Sequence, residues 1–186
     1  LDMIEIDIPM TKDEKIIVFH DYELKRIFNN KSMIKDISYT EILDITDKIP
    51  LLENVLILAK NSGIELNIEI KELYKIKEIT EQLLNLIKKY DYSEKILISS
   101  FDHTILKEIK RLDNSLKTAV LTASKPVDPI MLIKAADADG YNSIYYFVDE
   151  DVINKCHAEG YFVNIWTVNS KKDIEKYRGM GVDGII

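Results

Sequence analysis

The sequence predicts an α/β fold of parallel strands, closed as an irregular (β/α) barrel, and three observations predict it. One rhythm recurs along the chain: an amphipathic helix, a glycine, then a short β-rich run. Several of the strand-like runs are continuously apolar, as strands covered on both faces must be. No Gly-rich dinucleotide fingerprint follows any strand, so a closed barrel is preferred over an open doubly wound sheet.

The elements follow in order. Met3–Ile8 and Ile16–His20 read as the first two strands, with only Ile8–Lys15 around the turn between them. A helical crossover needs about a dozen residues or more. The barrel is therefore expected to be irregular here, with a tight excursion at Thr11-Lys12-Asp13. Leu52–Asn61, Gly63 and Leu66–Ile70 are the first full copy of the rhythm, with a strand over Leu66–Lys71. A glycine just past a helix end takes the left-handed position that turns the chain back. Ile76–Tyr90 is the clearest helix, because Ile76, Ile79, Leu83, Ile87 and Tyr90 fall three and four residues apart on one face. Ile96–Phe101 is the next strand. Ile105, Leu106, Ile109 and Leu112 mark the apolar face of the next helix, and Thr118–Leu121 the strand after it. Ala135–Asp139, Gly140 and Tyr141–Tyr145 are a weaker copy. Asp151–Glu159 with Gly160 leads into the strand Phe162–Val168, and Lys171–Tyr177 with Gly181 into Asp183–Ile186.

Composition narrows the function. The 186 residues fit one domain with a substantial core. A net charge of −7 is a poor match for nucleic acid, whose phosphates need a basic face. The longest apolar runs, such as Val55 to Ala59, fall far short of the ~20 residues of a membrane span. The single cysteine, Cys156, excludes an internal disulfide and is compatible with a reducing compartment. A cytoplasmic domain is the expectation, with a secreted or membrane-attached parent as the alternative.

Charge sits where buried strands should have none. Ile4-Glu5-Ile6-Asp7-Ile8 alternates, so Glu5 and Asp7 share a face. Ile68-Glu69-Ile70-Lys71 does the same for Glu69 and Lys71, and Val18-Phe19-His20-Asp21 places a histidine at a strand end. One alternating strand alone reads as half-solvated. Two of them among buried strands read as a site, because the two faces of a barrel strand meet helices or lumen, not free water. Buried carboxylates must be paired or bind a metal. Three carboxylates and a lysine converging at one mouth make a hard-cation site for Mg²⁺ or Ca²⁺ in preference to zinc. His20 beside such a cluster becomes an acid/base candidate.

These runs, together with Thr11-Lys12-Asp13, Leu24-Lys25-Arg26, Ile49-Pro50-Leu51-Leu52-Glu53, Ser99-Ser100-Phe101-Asp102, Trp166-Thr167-Val168-Asn169 and Gly181-Val182-Asp183-Gly184-Ile185-Ile186, resemble the glycerophosphodiester phosphodiesterase family in order and spacing. The resemblance covers nearly the whole chain and implies a (β/α)8, TIM-like barrel that hydrolyses glycerophosphodiesters to an alcohol and sn-glycerol 3-phosphate. It implies Glu5, Asp7 and Glu69 as ligands of one divalent cation. It implies His20 as one of two acid/base histidines, Lys71 as the group that holds the phosphate, and Phe101 and Trp166 as apolar substrate contacts. The family's opening His-Arg-Gly strand and Glu-Asn-Thr segment are absent, as is Thr-Asp after Ile186. A single domain over 1–186, trimmed at both ends and lacking its first strand and the end of its last, is therefore expected, with negligible activity on its own. His103 and His157 do not match the missing histidine by position. The alternatives are a related phospholipase-type phosphodiesterase on the same barrel and an inactive barrel serving as a binding or sensor module.

Overall fold

The computed structural model describes residues 2–71 and 74–186. The chain divides into two compact units, one up to Leu97 and one from Ile98. No helix among the described residues is long and apolar enough to cross a membrane.

In the first unit, β1 (Met3–Ile8) and β2 (Glu65–Ile70) run parallel, with Glu5 beside Asn67 and Asp7 beside Glu69. Ile8, Ile68 and Ile70 are buried. The alternating pattern thus places its apolar half in the core and its charges together on the other face.

Ile16–His20 is not a barrel strand. Ile16 and Ile17 form only isolated antiparallel bridges, to Met10 and Leu51. The excursion is a hairpin: the Thr11 N–H donates to Lys15 O at 3.0 Å, and Glu14 takes a left-handed φ of 61°. A connection this short can reverse direction but cannot cross over to a parallel neighbour. The return brings the Phe19 N–H to Asp7 O at 3.0 Å. Beyond it, α1 (Lys25–Phe28) and α2 (Tyr39–Ile45) enclose a small core of Ile17, Leu24, Ile34, Ile42 and Ile49. A Ser38–Glu41 capping box starts α2. This packing fixes the loop that carries His20. Helix α3 (Leu52–Ser62) ends on Gly63 at φ 68°, as the rhythm requires, and α4 (Ile76–Tyr90) buries Ile79, Leu83 and Ile87.

Strand β3 (Ile96–Ser100) spans the division between the units. The second unit contains α5 (His103–Leu112), β4 (Lys117–Thr122), α6 (Pro129–Ala135), β5 (Gly140–Ile144), α7 (Glu150–Ala158), β6 (Phe162–Trp166), α8 (Lys171–Met180) and β7 (Gly184–Ile185). Strands β4 to β7 pair in chain order, all parallel. Asp102, Asp128, Asp149 and Ser170 cap the helices that lead between them.

Three expectations change in this unit. Gly140 is not a helix cap: it opens β5, and a Cβ there would collide with the Phe162 ring. The left-handed residue after α6 is Asp137, at φ 53°. Leu112, at the end of α5, is 43% exposed, so the buried face of this helix ends at Ile109. The strand begun at Phe162 stops at Trp166, short of Val168.

Candidate active site

The parallel register brings together acids that the sequence separates by more than sixty residues. Ligand oxygens of Glu5, Asp7 and Glu69 all lie within 4.8 Å of one another. The Lys71 Nζ stands 2.9 Å from Asp7 Oδ1 and 4.0 Å from Glu69 Oε1, and donates to the His20 carbonyl at 3.3 Å. One ammonium faces three carboxylates, so the cluster keeps excess negative charge. Burial, reinforced by Asp7 and Glu69 and opposed by Lys71, pushes the Glu5 carboxyl up to about 7. Burial also pushes Glu69 up to about 7; Lys71 opposes this most, Asp7 adds to it and His20 opposes it.

A divalent cation fits this donor set. Glu5 Oε1 and Glu69 Oε1 are buried without a hydrogen-bond partner. Orphaned carboxylate oxygens are costly in a protein interior. Hard oxygen donors in this number are what Mg²⁺ and Ca²⁺ accept.

His20 sits outside the cluster but against it. Its side chain is 66% exposed, and its Nδ1 lies 2.6 Å from Asp21 Oδ1. Arg26 grips the same carboxylate through Nε at 2.6 Å and Nη2 at 2.9 Å. The Arg26 and His20 hydrogen bonds hold the Asp21 carboxyl down to about 2. An ionised carboxylate only accepts, so His20 Nδ1 carries a proton and Nε2 is directed elsewhere.

The sequence reading assigned no role to Asp21 or Arg26, although both fall inside the quoted runs. A His-Asp dipeptide followed five residues later by arginine was the available signal. It also missed Tyr22, whose hydroxyl donates to the Lys71 carbonyl at 3.0 Å. The other expected residues lie in the second unit. Phe101 and Trp166 pack edge to face, ring centroids 5.7 Å apart, and the Trp166 indole N–H donates to Asn142 O at 3.3 Å. The remaining histidines have local partners: His103 Nε2 meets Leu121 O at 3.0 Å, and His157 Nε2 meets Asp183 Oδ2 at 2.8 Å.

The chain is similar to known proteins along its full length. The family model described as the glycerophosphoryl diester phosphodiesterase family matches residues 1–186. A glycerophosphodiester phosphodiesterase of Caldanaerobacter subterraneus is 31% identical over 197 residues, covering 100% of this chain and 81% of that protein. One from Bacillus altitudinis is 34% identical, covering 99% and 81%. Among solved structures, a glycerophosphodiester phosphodiesterase from Parabacteroides distasonis matches with a TM-score of 0.84 at 26% identity, over 97% of this chain and 77% of that one. An Oleispira antarctica phosphodiesterase, solved in complex with the product sn-glycerol-3-phosphate, matches with a TM-score of 0.91 at 21% identity, over 100% and 81%. These likenesses establish the expected (β/α)-barrel fold. By the match of its whole length to the family model and by its identity to these relatives, the chain belongs to the glycerophosphoryl diester phosphodiesterase family, a family of phosphoric diester hydrolases.

Proposed function

We propose that this chain carries the catalytic site of a metal-dependent hydrolase that cleaves glycerophosphodiesters to an alcohol and sn-glycerol 3-phosphate. The observation that carries the metal dependence is the pair of buried oxygens on Glu5 and Glu69 that lack hydrogen bonds within a three-carboxylate cluster. Family membership and the names of the relatives support the substrate class.

Glu5, Asp7 and Glu69 would hold one cation, Mg²⁺ or Ca²⁺. Such an ion, when bound, supplies Lewis-acid polarisation of a phosphoryl oxygen. Lys71, already at the edge of the cluster, contributes a fixed positive charge where the transition state gains negative charge. His20, with Nδ1 committed to Asp21, presents Nε2 for one of the two proton transfers, either from the nucleophile or to the leaving alcohol. Phe101 and Trp166 remain the proposed apolar substrate contacts.

The test is release of sn-glycerol 3-phosphate from glycerophosphocholine by the full-length parent, before and after treatment with a chelator. The expected result is release that stops with the chelator and returns with Mg²⁺ or Ca²⁺. Release indifferent to the chelator would remove the metal from the reading. Release of glycerol and phosphocholine instead would place the cleaved bond on the wrong side of phosphorus.

A further inference from the structure

A cavity of about 250 Å³ in the first unit is lined by Pro9, Met10, Tyr22, Met33, Ile34, Lys35 and Tyr74. Four of these residues lie within three positions of Asp7, His20 or Lys71 along the chain. Pro9 and Met10 follow Asp7 on the chain, Tyr22 follows His20, and Tyr74 follows Lys71 by three residues. The Tyr22 hydroxyl is tied to the Lys71 carbonyl, so this wall is fixed to the residue at the edge of the cluster. Met10 and Ile34 are buried beneath, whereas Tyr22 and Tyr74 are 49% and 57% exposed.

We infer that this groove binds a hydrocarbon group on the alcohol arm of the diester, so that the enzyme favours glycerophosphate esters of apolar alcohols. The inference rests on the hydrolase reading above and specifies its substrate class. A phosphodiester has two arms. The glycerol arm is rich in hydroxyls and needs hydrogen-bonding partners. A groove of proline, methionine, isoleucine and tyrosine rings supplies few of these but gains free energy from buried hydrocarbon. Two tyrosines also invite comparison with a cage for quaternary ammonium groups. The Lys35 Nζ already lies 4.5 Å from the Tyr74 ring centroid. Its charge repels a second cation, so a neutral alkyl arm is favoured over a choline arm.

The test uses glyceryl n-alkylphosphonates, in which the bond to be cleaved is replaced by an inert P–C bond, titrated calorimetrically into the full chain with Mg²⁺. From methyl to hexyl, affinity should rise up to roughly fourfold per methylene buried, and then level off as the groove fills. The analogue with a trimethylammonioethyl arm should bind no more tightly than the propyl one. Met33→Asp should flatten the dependence on chain length. Tyr74→Ala, at an exposed position, should reduce it and carries the test if the aspartate variant fails to fold. A flat series in the wild type, or tighter binding of the cationic arm, would overturn the groove's role. A rising series, with a full-length parent that releases no sn-glycerol 3-phosphate, would leave the groove standing and sink the hydrolase reading instead.

Discussion

The two units bury polar groups in opposite ways. In the second, the inward polar residues are neutral and mostly answer one another. Thr122 Oγ1 meets the Tyr141 hydroxyl at 3.0 Å and Ser143 Oγ at 3.2 Å, and the Asn164 amide donates to Asn142 Oδ1 at 3.0 Å. Among these residues, Asn142 Nδ2 is the one fully buried side-chain atom without a hydrogen-bond partner. In the first, the polar face of β1 and β2 carries three acids, Glu5, Asp7 and Glu69, beside the neutral Asn67. Lys71 compensates them incompletely, and two of their buried oxygens have no hydrogen-bond partner. A satisfied neutral network holds strands in place. An acidic cluster short of hydrogen bonds destabilises the free protein, and a bound cation is what would complete it. The difference separates structure from function inside one fold.

The largest effect should come from breaking the acidic side of this comparison. In the full-length parent, Glu69→Ala and His20→Ala should each lower kcat/KM for glycerophosphocholine by roughly 10²–10⁴-fold, measured by release of sn-glycerol 3-phosphate. Activity above a tenth of wild type in either variant would remove that residue from the mechanism.

A second prediction concerns stability and pH. The Glu5 and Glu69 carboxyls titrate near 7 in the folded protein, above their ordinary value of 4.5. The folded state therefore holds those protons more tightly than the unfolded state does. Their contribution to stability is complete below about pH 4.5 and is lost as pH rises through 7. In the metal-free protein, Tm should fall between pH 5 and pH 8, and Glu5→Gln should lessen that fall. Mg²⁺ should raise Tm more at pH 8 than at pH 5, because protons compete with the ion for the same oxygens. Thermal melts with and without chelator at the two pH values decide this.

The smallest effect belongs to the neutral network. Asn164→Ala leaves Asn142 Oδ1 without its amide donor, which should cost about 1–3 kcal/mol, or roughly 2–4 °C of Tm per kcal/mol in a chain of this size. Affinity for the metal should not change. A large loss of metal affinity would mean that the two kinds of buried polarity are not separable.

Much of this was legible in the chain because each signal is local. The period-two alternation in Met3–Ile8 and Glu65–Ile70 fixes which side chains share a face, and parallel pairing then brings Asp7 beside Glu69. Glycines at Gly63 and Gly181 mark helix ends because only a left-handed residue turns the chain there. The misreadings arose where a short pattern has two solutions. Ile16–His20 is apolar enough for a strand, and only the length of the turn before it tells a two-residue antiparallel return from a barrel strand. Gly140 looks like a cap, but its cause is the Phe162 ring on the neighbouring strand. The Asp21–Arg26 grip on His20 and the Tyr22 tie to Lys71 depend on side-chain placement, which periodicity does not encode.

The central claim is tested most directly by titrating Mn²⁺, as a spectroscopic stand-in for Mg²⁺, into the metal-free protein and counting bound ion by electron paramagnetic resonance. One ion per chain should bind to the wild type, with affinity falling at least tenfold in both Glu5→Gln and Glu69→Gln. Absence of a stoichiometric site, or equal affinity in the wild type and both variants, would contradict the account.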